Sequence, residues 1–454
     1  MDKQVNWGEC RMKRRALLIR SACAAAVPAA FAPSVRAADI YARYRGQKVA
    51  LCLPKHHHYD AAIKLFPQFT QETGIQVEFE QLPIAEMKKK QLVEMAKGQG
   101  GYDLISYVVM WKGEYVKKNF IREIEPFLKN PQLALGDFDL PDVIPSFLEN
   151  IGLVGGWKGY LAGGAAKLYG LPYGAETSVL AYRSDIFDKL NLKAPTSYFE
   201  LEQMLPVLHD KAGMGALASR GKEGHQCVHA WLLHLNPLNG GIFENSWLPR
   251  FNDAAGVRAA QLLKKIIDTG PAGALNFGQS EMINAFLQGE SAMYLDSTLI
   301  FGAVRDPKLS KVNGKVAFAR HPRGSRYASQ TGGLGLAIPT NSKNADSAFL
   351  LMQWLTSKAQ DKAVCHLGGV PHRMSTLADE GLGKKYPEFQ MLSRSIGDAN
   401  PNWRPIIPQW DEINTDVLGK SIHSVIAGRQ PAEAALNDAA QAVKKIMQRE
   451  GYIT

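Results

Sequence analysis

The sequence is poor in the features that announce catalysis. It has no GxSxG nucleophile elbow, no phosphate-cradling GxxxxGK[ST] loop and no HExxH helix, and Gly333-Leu334-Gly335 lacks the spacing of a dinucleotide fingerprint. An enzyme built on paired carboxylates is not removed by these absences, because acid pairs leave no fixed pattern. Cysteine is scarce, with five in 454 residues. Cys10 and Cys23 fall in the N-terminal leader described below, so Cys52, Cys227 and Cys365 remain. An odd count permits at most one internal disulfide even in an oxidising compartment, which excludes a stapled framework. Three small buried thiols are expected, with one pairing left open. No cluster of Lys and Arg interleaved with aromatics occurs, so nucleic acid is not expected as a partner. Repeats, coiled-coil heptads and low-complexity tracts are absent as well.

What is present begins with an export leader. Arg11, Lys13, Arg14 and Arg15 precede a short apolar stretch from Ala22 to Phe31, and Val35-Arg36-Ala37 places small residues where a signal peptidase needs them. Cleavage after Ala37 is expected. The apolar stretch is roughly ten residues, far short of the twenty or so that span a bilayer. Arg14-Arg15-Ala16-Leu17-Leu18 stands where a twin-arginine signal would stand, although Lys13 replaces the usual Ser and leaves the general secretory route open. A periplasmic location follows. The whole chain has 53 Lys and Arg against 43 Asp and Glu. The first 37 residues hold seven and two of these, so the remainder carries 46 against 41, a mild excess that bears on solubility.

The body after the leader exceeds what one core usually supports, which predicts two lobes. Val49-Ala50-Leu51-Cys52-Leu53 reads as a strand buried on both faces. A helix with Ala62, Phe66 and Phe69 on one side follows, kinked or restarted at Pro67 and ended near Gly74. Ile75, Val77 and Phe79 alternate with polar residues as in a half-buried strand, a polar helix runs through Met87 and Met95, and Asp103-Leu104-Ile105 opens a third strand. This β-α-β-α-β order predicts an α/β fold with a mostly parallel sheet, whose ligands bind at the carboxyl ends of the strands. Gly155-Gly156 and Gly163-Gly164 mark a flexible loop. Near the C-terminus Pro431 suits a first helical turn, and Leu436, Ala440, Val443 and Met447 form an apolar core stripe.

Two histidine groups could carry chemistry. His56-His57-His58 lies just past the first strand, but adjacent side chains on an extended loop diverge, so the three cannot converge on one ion. His225, Cys227 and His229 alternate and would share a face on a strand, yet no fourth ligand has suitable spacing. No metal and no cofactor are expected.

Several segments, in order, resemble the carbohydrate-type extracellular solute-binding proteins of ABC importers (family 1, similar to maltose-binding proteins). They are Thr70-Gln71-Glu72-Thr73-Gly74-Ile75, Tyr102-Asp103-Leu104-Ile105, Gly170-Leu171-Pro172-Tyr173-Gly174, and Tyr182-Arg183-Ser184-Asp185-Ile186-Phe187 followed by Ala194-Pro195-Thr196-Ser197. The later ones are Phe286 to Tyr294, Gly332 to Pro339, Gly368-Gly369-Val370-Pro371-His372-Arg373 and Pro405-Ile406-Ile407-Pro408-Gln409-Trp410. The resemblance implies a type II periplasmic-binding-protein-like fold with two hinged lobes and no catalytic residue. It implies hinges near Gly174-Ala175, Asp296-Ser297 and Ala337-Ile338, with residues 39–174 plus 298–337 in one lobe and 175–297 plus 338–454 in the other. A monomer that binds a sugar or polyol and docks on membrane permease subunits is expected.

A sugar or polyol needs donors and acceptors for its hydroxyls and flat rings for its C–H faces. By the resemblance, candidate ligand contacts are His58, Tyr107, Trp111, Tyr173, Glu176, Trp231, Asn239, Asp296, Gly333, Arg373 and Trp410. Many relatives carry Trp where this chain has Leu334, and Trp where it has Ser197 or Tyr198, so a stacking surface is missing at Leu334. Two alternatives stay open. An anionic ligand would draw on Arg373 and His58, and a hydrolase or lyase would draw on Glu176 and Asp296.

Overall fold

The apolar run Val49–Leu53 forms the centre of strand β1 (Lys48–Pro54), where only Lys48 is exposed. The structure, a computed structural model, describes residues 37–155 and 165–454. The leader reading with Cys10 and Cys23, and the Gly156 and Gly163-Gly164 parts of the expected loop, lie outside the described residues. The helix expected after β1 is two helices, His57–Ile63 and Phe66–Thr73. Pro67 sits in the first turn of the second, where its missing N–H costs no bond. Gly74 closes that helix with φ 74°, a conformation only glycine adopts cheaply.

Strand β2 (Gln76–Leu82) runs parallel to β1, and β3 (Leu104–Val108) pairs parallel on the other side of β1. β2 ends the strand order. With no strand beyond it, Phe79 is exposed, its ring centroid 5.5 Å from that of Phe66, so the expected half-buried alternation is weak there.

The remaining strands of the main sheet are β4 (Leu171–Arg183), β5 (Gly215–Ala218), β6 (Ser291–Ser297), β7 (Val316–Arg320), β8 (Ser329–Ala337) and β9 (Ala399–Asn400). They complete a nine-stranded sheet of order β2-β1-β3-β8-β4-β6-β5, with β9 on β8 and β7 on β4. β8 lies antiparallel between β3 and β4, and β4 lies antiparallel to β6 and β7. The sheet is therefore mixed and not mostly parallel, because the strands that carry the chain from one half to the other return against their neighbours. β4 makes the join. Its first part pairs with β8 up to Thr177, and its second part, from Ser178, pairs with β6 and β7.

Helices Ala345–Leu355 and Lys358–His366 share one apolar cluster with β1 and β3. Helices His225–Leu235, Ala254–Asp268, Gly419–Ile426 and Ala432–Arg449 build a second cluster, and helix Tyr198–Ala212 covers β5 and β6 in a third. Residues 345–366 pack with β1 and β3, and β7 pairs with the second part of β4. In the last helix Leu436, Ala440, Val443 and Met447 are buried as their stripe predicts. Cys52, Cys227 and Cys365 are free and buried. Among the described residues no helix is long and apolar enough to cross a membrane.

Candidate functional site

The carboxyl ends of β1, β3, β5 and β6 converge on the line where β4 passes from one half of the sheet to the other. A cavity of about 270 Å³ lies there, with His56 after β1, Met110 after β3, Glu176 on β4, Arg220 after β5 and Gly333 on β8 in its wall. His225, Gln226 and His229 reach it from helix His225–Leu235, and Arg404 from the segment after β9. Larger depressions of about 440 and 720 Å³ open elsewhere, and neither gathers the ends of β1, β3 and β5.

Each wall residue is placed by a local rule. His56 is the N-cap of helix His57–Ile63, and its Nδ1 accepts from the His58 N–H at 3.2 Å. The triplet thus opens a helix instead of lying on an extended loop, and it is His56 that reaches the cavity. Its Nε2 stands 3.5 Å from the Glu176 carboxylate. His225 and His229 are on a helix and not a strand, one turn apart with ring centroids at 5.7 Å. Gly333 has φ 90° at a break in the β8–β4 register. A Cβ there would come 2.3 Å from the Gly174 carbonyl oxygen, so glycine is required for the two strands to pair at the wall.

Behind the wall Asp296, at the end of β6, is 1 % exposed and forms a two-pronged pair with Arg220, which donates from Nε at 2.8 Å and Nη2 at 2.5 Å. Burial alone would raise the Asp296 carboxyl, but the Arg220 guanidinium and His229 overcome this and hold it well below the usual range. Burial, helped by the Arg220 charge, pushes the His229 imidazole down to about 4. Burial and His229 push His225 well below its ordinary value. Both rings are neutral at neutral pH. Arg404 is pushed down to about 9 by burial, against the pull of Glu176. Among the described residues no group of three or more His, Cys, Asp or Glu side chains is placed to hold a metal ion.

Of the candidate contacts, Glu176 and Gly333 are on the wall, and Asp296 acts on it through Arg220. The others lie elsewhere. His58 is fully buried and accepts from the Val370 N–H, its ring edge-on to Tyr173 at 4.5 Å. Tyr173 is buried among Tyr59, His58 and His372. Tyr107 donates its hydroxyl to the Ile151 carbonyl at 2.6 Å, and Trp231 donates to the Gly256 carbonyl at 3.1 Å from within the core. Trp111 is buried beside Tyr115, with the Lys88 ammonium 5.9 Å from its ring. Trp410 belongs to the second apolar cluster, and Asn239 is an exposed turn residue with φ 65°. Arg373 is fully buried, donating to the carbonyls of Thr356, Asp139 and Phe138 and to Asp142. Arg220 and Arg404 are wall residues that the sequence reading passes over. Arg404 directly precedes the Pro405–Trp410 segment, which was the one available signal.

Comparison with known proteins supplies the context. The profile described as bacterial extracellular solute-binding protein matches residues 56–362. A protein of Sinorhizobium fredii described as a probable amino-acid ABC transporter periplasmic-binding protein is 26% identical over 426 residues, covering 92% of this chain and 93% of its own. The mannitol-binding protein of Pseudomonas aeruginosa is 26% identical over 390 residues, covering 81% and 85%. The crystal structure of an ABC transporter solute-binding protein from Agrobacterium radiobacter K84 in complex with ribitol superposes with a TM-score of 0.78 at 26% identity, covering 88% of this chain and 99% of that one.

Proposed function

The chain belongs to the bacterial extracellular solute-binding protein family, and on that premise we propose that it captures a sugar, mono- or oligosaccharide, or a polyol in the cavity at the strand ends and delivers it to the permease of an ABC importer. Its fold is that of the type II periplasmic binding proteins, and it is a binding component and not an enzyme. The observation that carries the reading is the cavity, where donors (Arg220, Arg404), an acceptor (Glu176) and groups that can do either converge with apolar Val108, Met110 and Leu334. Hydroxyls need both kinds of partner, and a buried polar group left unpaired costs roughly 1–3 kcal/mol, which is how such a wall rejects a wrong solute.

The protein works as a monomer in the periplasm, exported through its leader, with the twin-arginine route indicated by Arg14-Arg15. Closure uses hinges near Gly174-Ala175, Asp296-Ser297 and Ala337-Ile338, as in hinge-closing binding proteins generally. The two lobes follow the passages 39–174 and 175–297, and the later chain divides further, at β7 and at residues 345–366.

Thermal melting of the mature, ligand-stripped protein against sugars, polyols, sugar phosphates, amino acids and metals tests the reading. A ligand at about 100 times its Kd adds roughly 2.7 kcal/mol and raises the midpoint measurably. One neutral sugar or polyol that shifts the melt and is recovered unchanged is the expected result. A response confined to amino acids, anions or metals would reject the carbohydrate assignment.

A further inference from the structure

Among the described residues, two opposite charges on the cavity wall, Arg404 and Glu176, have no Lys, Arg, Asp or Glu side chain bonded to them. Arg404 is 4 % exposed, and its guanidinium stacks 4.6 Å from the Trp403 ring centroid. Its Nη1 meets the Met110 sulfur at 3.9 Å, and its Nε has no acceptor among the described residues. Glu176 is 8 % exposed, with only the His56 ring within ion-pairing range among the described residues. The two charges are neighbours. Gly332 is the cross-strand partner of Glu176, and a Cβ on Gly332 would lie 3.4 Å from Arg404 Nη2. Arg220, also on the wall, is neutralised by Asp296 behind it. Among the described residues, the wall therefore presents one guanidinium that no carboxylate bonds and one carboxylate that no Lys or Arg bonds, with no net charge between them.

Resting on the capture reading above, we infer that Arg404 and Glu176 act as a charge-balanced pair that selects an uncharged polyhydroxylated ligand, the guanidinium donating to one hydroxyl and the carboxylate accepting from its neighbour. A hydroxyl both gives and takes a hydrogen bond, so one vicinal diol satisfies both groups. An acid of the same skeleton satisfies Arg404 but sets a second anion beside Glu176, and an amine does the reverse. Beside side chains as buried as Arg404 and Glu176, like charges a few ångströms apart repel more strongly than in bulk water. The cavity, about 270 Å³, sits below the usual span for drug-sized ligands and favours a single monosaccharide-sized unit.

Calorimetric titration with mannitol, mannonate and 1-amino-1-deoxymannitol, and with the matching ribitol series, reads the selection directly. Wild type is expected to bind the alditol more tightly than either charged analogue by roughly tenfold or more. Glu176→Gln keeps the shape and removes the anion, so the acid should gain on the alditol by about tenfold. Arg404→Gln should shift the ranking towards the amine by a similar factor. Melting of each variant confirms folding, and Arg404→Lys, which keeps the charge, should retain the wild-type order. If the alditol binds wild type and the ranking of the three ligands is the same in all variants, the charge inference is overturned and the capture reading stands. If wild type binds an amino acid and no polyol, both are overturned, because a zwitterion satisfies the same pair.

Discussion

Gly333 shows how one residue can shape the site. Its φ of 90° and the 2.3 Å approach of a would-be Cβ to the Gly174 carbonyl leave no room for a side chain, since the obstructing atoms are backbone. Gly333→Ala should cost roughly 1–3 kcal/mol for the backbone conformation alone. β8 would also be pushed from β4, displacing Leu334 and opening the wall beside Glu176. Urea unfolding with and without ligand should show both lower stability and weaker binding, and unchanged values would mean that the strands can part without penalty. Glu176 and Asp296 could be named from the sequence because the resemblance to the solute-binding family puts chain crossings beside them, near Gly174-Ala175 and Asp296-Ser297. Arg220 and Arg404 could not, because what distinguishes them is the tertiary neighbour each finds, a buried carboxylate for one and Trp403 with an open cavity for the other. The aromatic candidates drew attention for a stacking role. Trp231 and Trp410 instead fill the second core, where their large apolar area gains most from burial.

At the level of elements, helix Tyr198–Ala212 is defined by its start. Ser197 Oγ accepts from the Glu200 N–H at 3.3 Å, and the Glu200 carboxylate accepts from the N–H groups of Thr196 and Ser197 at 2.6 and 3.2 Å. This reciprocal cap gives Ser197 a structural role, because the position ends a loop and satisfies free helix donors. Ser197→Ala should lower stability by about 1 kcal/mol in chemical denaturation and leave ligand affinity unchanged, since Ser197 is not on the cavity wall. A change in affinity of the same size would instead mean that the helix is coupled to the site. Elements with long, clean periodicity could be read from sequence, as β1 and the last helix show. His225-Gln226-Cys227-Val228-His229 could not, because a spacing of two fits a strand and a spacing of four fits a helix turn, and the buried run Ala230–Leu235 that decides between them lies downstream. The antiparallel entry of β8 was hidden for a related reason, since strand direction is set by where a distant segment returns.

The whole molecule carries a store of buried neutral imidazoles that ties its stability to pH. His234 and His321 are each 2 % exposed and His229 is 6 % exposed. Burial pushes the first two down to about 3 and the third to about 4. His321 and His234 are joined through Tyr198, whose hydroxyl lies 2.9 Å from His321 Nε2 and 3.1 Å from His234 Nδ1, while Ser178 Oγ holds His321 Nδ1 at 2.9 Å. This chain links β4, helix Tyr198–Ala212, helix His225–Leu235 and the segment after β7. In the unfolded chain each ring takes up a proton below about pH 6.5, and in the folded protein none does until the pH is far lower. Between those limits the unfolded state binds more protons, so stability rises with pH and falls on acidification. Each ring can contribute up to about 1.4 kcal/mol per pH unit within its window. The low-lying Asp296 carboxyl adds to the loss only below about pH 4, where an unfolded aspartate protonates. Urea unfolding at pH 7, 6 and 5 should therefore show a progressive loss of stability that begins near 6.5, well above the carboxylate range. His234→Gln should flatten the slope even where it lowers the overall level, and a stability that is constant from pH 7 to 5 would mean that the folded protein accepts these protons without opening.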